Sequence, residues 1–123
     1  MALWEETAQT IALKIQSREV SAEEVTQSAL DRLAQVNPSI NAVVDCFDHE
    51  ALNEAQKIDT KLNAGEPVGI LAGVPITIKV NVDQIGRATT NGVRLQKDQI
   101  AQKDNPVVAN LRRAGAIIIG RTN

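Results

Sequence analysis

The chain has 123 residues, enough for one small domain with a modest core. Its formal net charge is -2, and its lysines and arginines are scattered, which excludes the basic stripe expected of a nucleic-acid or anionic-membrane binder. Trp4 and Phe47 are the only aromatics, poor material for base stacking or an aromatic ligand cage.

One cysteine, Cys46, and one histidine, His49, leave no disulfide within the chain and no Cys/His metal spacing. The glycines lack both phosphate-binding spacings, so no nucleotide site is expected, and no cofactor or metal. The opening "MALWEETAQT" carries acids early and is not a signal peptide. The apolar runs are too short to span a bilayer. A soluble, cytoplasmic protein of a reducing compartment is expected.

Trp4, Ala8, Ile11 and Ile15 recur at spacings of four, three and four, one face of an amphipathic helix. In "REVSAEEV", Ser21 caps a second helix and Glu24 completes a capping box. Ala22, Val25, Ala29, Leu33 and Val36 form its buried stripe, and Asn37-Pro38 is expected to end it, because a residue before proline avoids the helical region. The result is a pair of short antiparallel helices and a helical section over residues 1–37.

The α/β section then runs over 38–123. "INAVVDCFD" reads as a short strand over 41–47, with Cys46 as a small core residue. Ala51, Ala55, Ile58 and Leu62 give a third helix closed by Gly65, with His49 at its start as a surface or capping-turn residue. In "GVPITIKVNVDQIG", Val74, Ile76, Ile78, Val80 and Val82 share one parity, and Pro75, Thr77, Lys79, Asn81 and Asp83 the other. That alternation predicts a strand with one apolar and one polar face. Residues 84–104 lack periodicity and read as a long connection with a short helical turn.

"DNPVVANLRRAG" carries helix signals at both ends: Asp104 or Asn105 as cap, Pro106 in the first turn, Gly115 at the exit. "AIIIG" is a compact buried strand. Strand, helix and strand in that order imply a crossover and a parallel pair. The fold class is α/β: N-terminal helices, then part of a mixed or parallel sheet with a crossover helix. A parallel strand needs cover on both faces, so more polypeptide is expected to belong to this sheet. Thr122 and Asn123 are expected to fray as chain-end residues.

By alternation alone, Lys79 is a solvated lysine on a polar strand face. The motifs around it change that reading. "LAGVPITIKVNVDQIGRATTNG" followed by "DNPVVANLRRAGAIIIGRTN" resembles the N-terminal part of the amidase signature family, with the match covering essentially the whole chain and strongest over Leu71–Asn123. A Gly-x-Pro-x-x-x-Lys strand, a Thr-Thr-x-Gly loop and a Leu-Arg-x-Ala-Gly-Ala…Gly-x-Thr-Asn end occur in order.

The resemblance implies an incomplete piece of the amidase signature fold. It also implies amide hydrolysis by a Ser–cis-Ser–Lys triad, in which a neutral lysine works through a cis-peptide serine to activate a serine nucleophile. The matching lysine is Lys79, and both serines would lie downstream of Gly-x-Thr-Asn, beyond Asn123. A lysine acting as a base must lose its proton near neutral pH, at a cost of about 4–5 kcal/mol from its ordinary pKa of about 10.4. Desolvation can supply that change.

Thr89, Thr90, Asn91 and Gly92 read equally as a simple turn and as a loop lining the amide pocket. Two positions depart from the family pattern: Val80 where an acid often follows the lysine, and Asn91 and Val93 where a Gly-Ser pair is common.

Ser17, Ser21, Ser28 and Ser39 sit at helix ends, on a helix face or in a turn, and none stands in a Gly-x-Ser-x-Gly elbow. The isolated chain is therefore expected to be inactive. The expected partners are a small-molecule amide in the complete enzyme and either the remaining C-terminal polypeptide or a second copy; nucleic acid and membrane are not expected. Two other readings stay open: part of a glutamine-dependent amidotransferase, and a truncated non-enzymatic remnant or interaction module.

Overall fold

The computed structural model describes all of residues 1–123. A 3₁₀ turn, Leu3–Glu5, precedes helix α1, Ala8–Gln16. Thr7 caps α1 by accepting from the Thr10 N–H, so Trp4 lies outside the helix, not on its face as the spacing predicts, and it is half-exposed. Helix α2 spans Ala22–Ile40 and begins as the sequence dictates. The Ser21 hydroxyl accepts from the Glu24 N–H at 3.0 Å, and the Glu24 carboxylate accepts from the Ser21 N–H at 2.7 Å.

Its end differs from the expectation. Pro38 lies inside α2, which runs on to Ile40 and closes on Asn41 at φ 48°. The Asn37 side chain makes the exit: its Oδ1 accepts from the N–H groups of Ala42 and Val43, and its Nδ2 donates to the Val43 carbonyl. A proline within the last turn forfeits a single backbone hydrogen bond, to the carbonyl of Ala34, and Asn37 secures the exit that follows. The helical section thus passes residue 37, and α2, at 19 residues, is not short.

Strand β1 is Val43–Cys46, and helix α3 is Asp48–Asn63, followed by Gly65 at φ 72° as expected of a left-handed exit. Cys46 is exposed rather than in the core, because only Val43 of β1 is buried. Partial burial and the Asp48 and Asp45 carboxylates raise its thiol pKa. Strand β2, Pro75–Lys79, and strand β3, Ile117–Thr122, flank helix α4, Pro106–Arg113, which Asn105 caps by accepting from the Val107 N–H. The sheet order is β1-β3-β2, with β2 parallel and β1 antiparallel to the central β3.

Adjacent residues of β3 point to opposite faces. Ile117 and Ile119 join Ile11, Ile15, Val25, Ala51 and Ala55 in the main core beneath α1, α2 and α3. Ile118 joins Phe47, Ile78 and Val108 in a smaller core beneath α4. The apolar parity of β2 does not face one core. Val74, ahead of the strand, packs in the main core, Ile78 in the smaller one, and Ile76 against both. Val80 and Val82 lie past the strand end, in the turn that follows.

The register explains part of this. Ile76 pairs with Ile118 but Thr77 pairs with Gly120, so Ile119 is an extra residue in β3. Such a bulge resets the alternation. Arg121, three residues after Ile118, then pairs with Ile78 and shares its face, while Lys79 pairs with Thr122. No helix is long and apolar enough to cross a membrane.

Candidate functional site

Lys79 is the last residue of β2, at the end where the parallel strands β2 and β3 both finish. Its side chain is exposed, and its Nζ donates to the Asn123 carbonyl at 2.7 Å. The end of β3 is tied on both sides rather than frayed. Val80 N–H donates to Thr122 O at 2.9 Å, Asn123 N–H to Ala42 O at 3.0 Å, and Asn123 Nδ2 to Asn41 O at 3.0 Å. Asn41 can present its carbonyl there because its left-handed φ turns the chain out of α2. Lys79 and the Thr-Asn end of the chain are thereby brought together, although 44 positions separate the donor from its acceptor.

Of the polar residues sharing the lysine's parity, Thr77 and Asn81 are exposed and make no side-chain hydrogen bond, whereas Asp83 organises the following loop. Its Oδ1 accepts from the Thr89 hydroxyl at 2.5 Å, and its backbone carbonyl accepts from Asn105 N–H at 2.9 Å. Asp104 does not cap α4. Its carboxylate accepts instead from Ile85 N–H and from Arg112. The connection between β2 and α4 is therefore irregular but knitted, with a bridge between Ala88 and Ile100 and a 3₁₀ turn at Arg94–Gln96.

Thr89, Thr90, Asn91 and Gly92 form a tight turn in this connection. Val93 N–H donates to Thr90 O at 2.7 Å, Gly92 N–H to the Thr90 hydroxyl at 3.2 Å, and Asn91 Nδ2 to Gln96 Oε1 at 2.9 Å. Asn91 and Gly92 take φ of 52° and 74°, values that asparagine and glycine tolerate better than other residues. Asn91 at the position where the family favours glycine is thus compatible with the turn.

Sequence reasoning passed over Arg121. It is 1% exposed, and its guanidinium donates from Nη1 to Ala88 O at 2.6 Å and from Nη2 to Val80 O and Val82 O at 3.2 and 3.1 Å. Its Nε has no partner. Burial lowers its pKa, Asp45 and Asp83 oppose that shift, and Arg87 adds to it. The available signal was an arginine continuing the apolar run "AIIIG", a place where a charge must be either buried and bonded or at a strand end.

His49 and Cys46 are exposed near the β1–α3 junction. No group of three or more His, Cys, Asp and Glu side chains is arranged to hold a metal ion. A cavity of about 980 Å³ lies between α3 and α4 beside the start of β3. Lys57, Lys61, Arg112 and Ile117 line it, and neither Lys79 nor residues 89–92 do. These 123 residues therefore present Lys79 at an open strand end and do not enclose it.

The profile of the family described as Amidase matches residues 24–123. The chain is 49% identical over 121 residues to an indoleacetamide hydrolase of Bradyrhizobium diazoefficiens, covering 98% of this chain and 23% of that protein. It is 43% identical over 117 residues to a glutamyl-tRNA(Gln) amidotransferase subunit of Acidothermus cellulolyticus, covering 95% of this chain and 23% of that protein. Among solved structures, a bacterial aryl acylamidase of the amidase signature enzymes superimposes with a TM-score of 0.90 at 30% identity, over 96% of this chain and 25% of that one. The chain thus spans about a quarter of the length of the proteins it matches.

Proposed function

The chain belongs to the amidase signature family, and from that premise we propose that it supplies the lysine of a Ser–cis-Ser–Lys device that hydrolyses a carboxylic amide. Residues 1–123 form the N-terminal segment of that catalytic domain, and the two serines come from polypeptide outside these residues. The observation that carries the reading is the Lys79 Nζ–Asn123 O bond at 2.7 Å, which joins the motif lysine to the motif Thr-Asn end at one edge of a parallel strand pair.

The neutral amine of Lys79 takes a proton relayed through the bridging serine from the nucleophilic serine. That serine attacks the amide carbon, the amine leaves with a proton returned along the relay, and water hydrolyses the acyl-serine. The Asn123 carbonyl accepts a hydrogen bond from the amine and so orients its lone pair without competing for the proton. Enclosure by further polypeptide supplies the desolvation that the exposed lysine lacks here. Thr89, Thr90, Asn91 and Gly92 line the acyl-side pocket, reaching it from the loop that leaves β2.

Hydrolysis of a small primary carboxamide is favoured over transfer by the 49% identity to an indoleacetamide hydrolase. The 43% identity to a glutamyl-tRNA(Gln) amidotransferase subunit supports a second reading, release of ammonia from glutamine for transfer.

The serines of the chain are occupied elsewhere. Ser17 donates to Lys14 O and Ser21 caps α2, while Ser28 and Ser39 lie on α2. The 123-residue chain alone therefore turns over no amide. In the protein carrying the serines, Lys79→Ala lowers kcat/KM for an arylacetamide by about 10²–10⁴-fold, the usual worth of a general base. Equal turnover by the variant overturns the role of Lys79, and hydrolysis by the 123-residue chain reveals a nucleophile within it. Faster ammonia release from glutamine than from indoleacetamide selects the second reading.

A further inference from the structure

We propose that Arg121 is a positioning residue, whose buried guanidinium sets where Lys79 and the Thr89–Gly92 turn stand relative to each other. The inference deepens the reading above and rests on it for its functional meaning, but not for its test.

A strand end needs something to stop and aim the chain. After Lys79 the backbone turns, with Val82 N–H donating to Lys79 O at 3.0 Å. That turn directs the carbonyls of Val80 and Val82 inward, where no strand pairs with them. Arg121 Nη2 takes both, and Nη1 reaches the carbonyl of Ala88, the residue before Thr89. One planar group thereby clamps the residue following the lysine and the residue preceding the candidate pocket turn.

Lysine could not do this. The three bonds need donors held in a fixed fork, and an ammonium on a flexible stem meets them one at a time. A buried guanidinium with an unpartnered Nε is also costly to keep. Leucine at this position would extend the apolar run at no such cost, so the three carbonyls are what the arginine provides.

The bulge at Ile119 makes the clamp possible. It places Arg121 on the face of Ile78, opposite that of Lys79, so the guanidinium grips the backbone around the lysine without occupying the space in front of its amine. Asp45 and Asp83 lie near enough to favour its charge, and Arg87, stacked on Phe47, opposes it. Asp83 also holds Thr89 at 2.5 Å, so the same loop is secured from both ends of the clamp.

The test compares Arg121→Lys and Arg121→Met with the parent 123-residue chain by amide hydrogen exchange and NMR. Gly86, Thr89 and Ala101 donate within the loop to Ala101, Gln99 and Arg87 carbonyls and report its order. In both variants these three amides lose about tenfold or more in protection relative to amides of α2. The Cε–Hε resonance of Lys79, assigned with Lys79→Arg, moves toward its value in unfolded chain.

Val25→Ala serves as the control, because it loosens the main core without touching the clamp. It leaves the Lys79 resonance in place. Loop protection equal to the parent's, a loss no greater than that in α2, or a Lys79 shift matched by Val25→Ala overturns the proposal. Should Arg121→Met fail to fold, Arg121→Lys, which keeps the charge, decides alone by the same readouts. None of these measurements uses turnover, so a failure of Lys79 as base and a failure of the Arg121 clamp are separately visible.

Discussion

The N-terminus of α2 offers the sharpest test of the packing. A helix begins with N–H groups that have no partner within it. Here Glu24 N–H goes to the Ser21 hydroxyl, Ser21 N–H goes to the Glu24 carboxylate, and Asp59 of α3 takes the other two, Ala22 N–H at 2.7 Å and Glu23 N–H at 3.1 Å. Asp59 therefore caps one helix from the flank of another.

The two acceptors are not equivalent. Ser21→Ala removes one neutral acceptor, at a cost of about 1 kcal/mol. Asp59→Ala orphans two donors. Glu23 is exposed and its N–H recovers a water, but Ala22 is fully buried and its N–H does not. Stranding a buried donor costs about 1–3 kcal/mol, and losing a carboxylate at a helix start costs about 0.3–1 kcal/mol more. After discounting for the partial exposure of Asp59, the sum is about 2 kcal/mol.

Asp59→Asn keeps one acceptor oxygen for Ala22 and loses the charge, so it costs about half as much, about 1 kcal/mol. In urea titrations, with a slope of about 2 kcal/mol per molar, Asp59→Ala lowers the midpoint by about 1 M, twice the shift of Ser21→Ala or Asp59→Asn. If Asp59→Ala costs no more than Ser21→Ala, or if Asp59→Asn costs as much as Asp59→Ala, an acceptor for the buried Ala22 N–H is not what Asp59 contributes to stability.

Two further outcomes test other parts of the fold. Gly73 has φ 83°, and a Cβ there would meet Ile15 Cδ1 at 2.7 Å and Ala22 Cβ at 2.8 Å, so Gly73→Ala destabilises by about 2 kcal/mol, from strain and overpacking together. Adding Ile15→Val, which deletes the offending Cδ1, lowers the urea midpoint by less than the sum of the two single effects. Lys14 bonds to Glu6 at 2.6 Å, which raises its pKa above the ordinary value of 10.5. A raised lysine pKa contributes stability that is full below pH 10.5 and is lost as pH rises through the folded value. Glu6→Gln therefore flattens the fall in thermal midpoint at alkaline pH and leaves its slope between about pH 6 and pH 9 unchanged.

The starts of α2 and α4, the crossover and the family were legible because each is written locally. Ser21 and Glu24 specify a capping box within a single turn, Pro106 after Asn105 specifies a first turn, and the spacing around Lys79 specifies a family. The end of α2 was not legible at Pro38, because its exit is held by a single Asn37 side chain reaching forward to Ala42 and Val43 in the next segment. Cys46 reads as core from its apolar neighbours, but whether a residue of β1 is covered depends on which elements lie over it. Asn123 reads as loose from its position, but β2 and the α2 exit both hold it.

The sequence by itself determined the order of the elements, the parallel pairing implied by a strand–helix–strand run, and the lysine that marks the family. These follow from short-range sterics, hydrogen-bonding and motif spacing. Only the tertiary structure decided which way side chains face beyond the bulge. One extra residue in β3, Ile119, inverts the parity of everything after it, and a period-two pattern cannot register an insertion in the partner strand. That inversion buries Arg121 on the face of Ile78, against three carbonyls, and leaves Lys79 on the other, where its amine meets the Asn123 carbonyl.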